Sequence, residues 1–99
     1  MNPFTGEVSF IYADNNYILR PSFGAIAEIE QELGKSILWL LENIETRGLM
    51  LKEQELIFCY GLKYGGQMIS KTELSEILQQ LGIVKTTEIC IKFLQNIFN

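Results

Sequence analysis

Gly6-Glu7-Val8-Ser9-Phe10-Ile11-Tyr12, then Ala13-Asp14-Asn15-Asn16, then Tyr17-Ile18-Leu19-Arg20-Pro21-Ser22-Phe23-Gly24-Ala25-Ile26-Ala27-Glu28-Ile29-Glu30, is the stretch on which the fold turns. Two short runs of β-branched and aromatic residues flank an Asp14-Asn15-Asn16 turn, the pattern of a β-hairpin. Arg20-Pro21-Ser22 then ends the second strand and opens a helix. Proline cannot donate into a strand ladder, and the Ser22 hydroxyl can accept from the first helical turn. A lone hairpin is marginal in water, so this one must lie on helices or pair with a partner.

Downstream, the chain breaks at regular intervals into amphipathic pieces. A first helix from Ser22 to about Leu33 puts Ile26, Ile29 and Leu33 on one face and turns Glu28, Glu30 and Glu32 mainly outward. Gly34 ends it and Ser36 caps the next. That second helix carries Ile37, Leu40, Leu41 and Ile44 inward and stops at Arg47-Gly48. A third, about Lys52 to Tyr64, is apolar nearly all round from Leu56 to Leu62, as a central helix is. Gly61 within it costs roughly 1 kcal/mol of helix propensity against alanine, which points to a close neighbouring backbone. Gly65-Gly66 closes it. Ser70-Lys71-Thr72-Glu73 is a capping box with Ile69 and Leu74 as its staple. Leu74, Ile77, Leu78 and Leu81 then face the core and Gly82 closes the fourth helix. A fifth, from Thr86 or Thr87, carries Ile89, Phe93 and Ile97 as a stripe, with Ile91 and Phe98 off it.

The expected fold is α+β, mainly α: an N-terminal β-hairpin (1–21) followed by four or five short helices (22–99), as a single domain over 1–99. Ninety-nine residues with 47% hydrophobic content suit one packed core. The net charge of −4 and scattered basic residues oppose nucleic-acid binding. No secretory signal pattern is present, and Ile37-Leu38-Trp39-Leu40-Leu41 is too short to span a bilayer, so no membrane role and a cytoplasmic location are expected. Cys59 and Cys90 form no Cys-x-x-Cys pair and read as buried free thiols.

The chain contains no histidine, which removes the commonest general base and most zinc sites. Glu28 with Glu32, and Glu42 with Glu45, share helix faces, the ordinary pattern of a solvated surface. Gly65 to Glu73 echoes the end of a calcium loop, but Leu62, Tyr64 and Gly66 would stand where oxygen ligands belong. No catalytic, metal or cofactor site is therefore expected, and the chain is read as a non-enzyme. What remains is surface for partners. Phe4, Tyr12, Tyr17 and Phe23 concentrate aromatic area near the hairpin, and a strand edge could stay open beside them. Tyr12, Tyr17, Arg20 and Phe23 are the expected partner-binding residues.

The string Asn2-Pro3, Gly6-Glu7-Val8 and Tyr17 through Glu30, then Leu33-Gly34, resembles the small tail protein of gene transfer agents and related prophages. Gly65-Gly66 and the Ser70 to Leu81-Gly82 helix extend the resemblance over nearly the whole chain. The resemblance implies a tail assembly chaperone that binds the tape measure protein, keeps it soluble and recruits tail tube protein around it. The same family has been labelled a tail tube component, which makes a structural protein retained in the particle the alternative. One hairpin offers little β-structure for a ring, so the chaperone is the first expectation. Homo-oligomers are compatible with either role.

Overall fold

A computed structural model describes residues 6–97. In chain order they form strands β1 (Val8–Tyr12) and β2 (Asn15–Leu19), then helices α1 (Phe23–Leu33), α2 (Ile37–Glu42), α3 (Ile44–Arg47), α4 (Leu51–Tyr64) and α5 (Lys71–Ile97). The architecture is α+β and mainly α, one two-stranded antiparallel sheet followed by helices, as the sequence predicts. Asn2, Pro3, Phe4 and Phe98 lie outside the described residues.

The hairpin turn is Ala13-Asp14, one residue earlier than the Asp14-Asn15-Asn16 turn expected. Both central residues take left-handed φ, 49° and 64°, the pair of values that matches the right-handed twist of the strands. This placement sets the register Val8↔Leu19, Phe10↔Tyr17 and Tyr12↔Asn15. Apolar residues thus share one face of the sheet, whereas a one-residue slip would turn a strand's whole set outward. Packing of Val8, Phe10 and Leu19, each at most 6% exposed, decides the matter over turn propensity.

Those three join one hydrophobic cluster with Ile29, Leu40, Ile57, Phe58, Phe93 and Leu94. Fully burying a side chain such as Phe58 or Phe93 stabilises the fold by roughly 1.5–3 kcal/mol. Helix α4 is the central element, touching α1, α5 and β2. Gly61 explains one of its contacts. A side chain there would begin 3.0 Å from Leu19, and the Gly61 carbonyl accepts the Arg20 N–H at 3.0 Å. The predicted caps are present: Ser22 accepts from Ala25 N–H at 3.2 Å, Ser36 from Trp39 N–H at 3.0 Å and Ser70 from Glu73 N–H at 3.1 Å.

Three expectations need correction. The second helix divides at Asn43, whose side-chain amide donates to the Trp39 carbonyl at 2.9 Å and competes with the helical backbone. No loop separates Gly82 from the final helix. Gly82 alone, at φ 85° and ψ 159°, absorbs the change of direction and the helix resumes at once. Thr86 therefore lies inside a helix, 3% exposed, rather than at its start. Cys90 is buried, but Cys59 is exposed because Leu56, Ile57, Phe58 and Leu62 take the inward side of α4.

Candidate functional site

Strand edges come first, because the expected docking site depends on one being open. The outer edge of β2 is closed. Gln67 Oε1 accepts the Ile18 N–H at 2.8 Å, and Gln67 Nε2 donates to the Asn16 carbonyl at 3.1 Å. Two residues beyond Ile18, the Gly61 carbonyl accepts the Arg20 N–H. A single glutamine side chain and a helix carbonyl thus replace a neighbouring strand. This leaves β1 as the only strand whose outer edge can be open among the described residues.

The four expected partner-binding residues do not gather into one patch. Tyr12 and Tyr17 lie on the inward face of the sheet, partly exposed and packed against the core. The Tyr17 ring stacks on Phe10 with centroids 5.2 Å apart, and Phe10 meets Phe58 edge-on at 5.6 Å. Arg20 ties the strands together, its Nε donating to Glu7 Oε2 at 2.8 Å. Phe23, the first residue of α1, is 90% exposed and is the one aromatic of the set fully offered to solvent.

The seam between α1 and α4 collects most of the unusual electrostatics. Glu28 pairs with Lys63 Nζ at 3.2 Å, and hydrogen bonds from Tyr64 and Lys63 hold its carboxyl below the usual range. The Tyr60 hydroxyl donates to Glu32 Oε1 at 2.8 Å, and that bond pushes Tyr60 up to about 12. Glu30 Oε2 accepts the Ile37 N–H at 2.8 Å. The three outward glutamates of α1 therefore brace neighbouring elements. Desolvation of the thiol, with Glu32 and Glu55 nearby, raises Cys59 above the usual thiol range and favours its protonated form.

Two grooves open on α4. One, of about 370 Å³, is lined by Leu56, Cys59, Tyr60, Met68, Ile69 and Lys71. The other, of about 340 Å³, lies between α4 and the Gly82 bend and includes Leu51, Gln54, Leu78, Ile83 and Thr86. Met68, Leu51 and Ile83 are 92%, 67% and 57% exposed, so both grooves have apolar rims. The Thr86 hydroxyl is buried in the second without a hydrogen-bond partner. Sequence reasoning missed the half-buried Gln67 and the buried Gln54 and Thr86, because a polar residue that packs inward leaves no periodic signal. No group of three His, Cys, Asp or Glu converges as a metal site among the described residues. No described helix is long and apolar enough to cross a membrane.

Two apolar-rimmed grooves and a strand edge are the notable surfaces of this hairpin-on-helices fold. The family model described as "Phage tail tube protein, GTA-gp10" matches residues 5–99, and the chain belongs to that family. It is thus related to the tails of phages and gene transfer agents. Neither a curated protein nor a solved structure matches the chain.

Proposed function

We propose that this chain takes part in building a phage-like tail by binding other tail proteins in the host cytoplasm, without catalysing a reaction. A structural component of the tail tube, retained in the particle, is the role the family's description favours. The observation that carries it is the match of that family over residues 5–99, nearly the whole chain.

The chaperone role has a separate observation in its support. The described strands are two of five residues each, β1 and β2, and a wall made by closing sheets needs more strand than one hairpin supplies. The two apolar-rimmed grooves on α4 are suited to amphipathic helices of a long helical client such as the tape measure protein. In that role the chain would meet the tail tube protein as a second partner.

Purified particles separate the two. Mass spectrometry that finds this chain in many copies per particle supports the tube component. Its absence there, with a soluble complex formed on co-expression with the tape measure protein, supports the chaperone. A chain found in neither the particle nor any complex with tail proteins would sink both readings.

A further inference from the structure

The register of the hairpin decides which backbone groups face outward. Asn16, Ile18 and Arg20 point away from β1, as their bonds to Gln67 and Gly61 show. Asn15, Tyr17 and Leu19 therefore bond to their partners Tyr12, Phe10 and Val8. The intervening residues of β1, Ser9 and Ile11, must turn their N–H and C=O groups away from the hairpin. These backbone groups have no hydrogen-bond partner among the described residues. Both residues are exposed, Ile11 at 73%.

The contrast between the two edges matters. Proteins usually protect a free edge with charge, proline or a bulge. The β2 edge is sealed by a side chain, while Val8-Ser9-Phe10-Ile11-Tyr12 has no charge and no proline. Its unpaired donors and acceptors alternate at strand spacing, which another extended backbone matches group for group.

We propose that the β1 edge pairs with β1 of a second copy, antiparallel about a two-fold axis at Phe10, to make a four-stranded sheet. In that register Ser9 of each copy exchanges two hydrogen bonds with Ile11 of the other, so all four groups of each edge are satisfied. Charge selects this arrangement. Glu7, already paired with Arg20, meets Ala13 of the second copy, and Asp14 meets Gly6, so no two carboxylates face each other. A parallel in-register pair would set Glu7 on Glu7 and Asp14 on Asp14, which is unfavourable between opposed strands. One strand edge buries less than the roughly 1,200 Å² of a stable interface, so association depends on concentration. The inference rests on the edge alone and holds for either role proposed above.

Light scattering after size exclusion, over a hundredfold range of concentration, tests it. The wild-type mass should rise from 11.4 kDa towards twice that value, with slowed amide exchange at Ser9 and Ile11. Ser9→Pro removes an outward N–H and leaves the bonds to β2, so it should stay monomeric with the helical circular dichroism intact. If Ser9→Pro unfolds, Ile11→Lys decides, since its side chain points to solvent and adds a repelling charge on each copy. A wild type that is monomeric throughout, or a dimer that survives in the folded variant, overturns the proposal.

Discussion

Gln67 shows how much one side chain can carry in a domain this small. Its amide supplies the acceptor and the donor that a third strand would have offered to Ile18 and Asn16. Truncating it leaves the Ile18 N–H, which is partly buried, without a partner, a loss worth about 1–3 kcal/mol. Gln67→Ala should lower the melting temperature and speed amide exchange at Ile18, while Gln67→Glu should recover part of the loss by accepting from Ile18 alone. Equal melting of Gln67→Ala and wild type would remove this role. The three serine caps were legible from local sequence because a cap and its helix are adjacent. Gln67 was not, because its partners lie 49 and 51 residues away.

At the scale of the element, the ends of helices were easier to read than their relations. Gly34, at φ 69°, ends α1 where the sequence predicts. Gly82 ends its helix where expected, whereas the hairpin turn and the start of the helix after Gly82 were misplaced. The start of α4 offers a test of what local patterning missed. Glu53 is 3% exposed; its Oε1 accepts the Met50 N–H at 2.8 Å and its Oε2 accepts from Arg47 at 3.0 Å. Glu53→Ala removes a cap for α4 and the partner of Arg47, so it should cost about 2 kcal/mol. Denaturant unfolding measures this, and Glu53→Gln, which keeps an acceptor for Met50, should lose less. The sequence read the apolar run of α4 correctly as central, yet Glu53 and Gln54 are buried in it and Cys59 is not.

Across the whole molecule, α1 and α4 are joined by polar contacts that respond to alkaline pH. Tyr60 ordinarily ionises near 10 and is raised to about 12 by its bond to Glu32. The neutral phenol therefore favours the folded state. That contribution is complete below pH 10 and is lost as pH rises through about 12. Melting temperatures should fall more steeply between pH 10 and 12 for wild type than for Tyr60→Phe; parallel curves would assign the loss elsewhere. The fold class was open to sequence reasoning, since it rests on residue types and spacing. The state of each strand edge depends on three elements meeting, and only the assembled fold reveals it.

The first strand and the last helix complete each other: α5 lies against β1, and the Asn96 amide donates to the Gly6 carbonyl at 3.1 Å. A ribosome delivers β1 long before α5. Val8 and Phe10 are synthesised well before the Phe93 and Leu94 of their cluster. Until α5 emerges, the part of the hairpin's apolar face that α5 covers stays open, so the nascent chain is more prone to sticking over that interval.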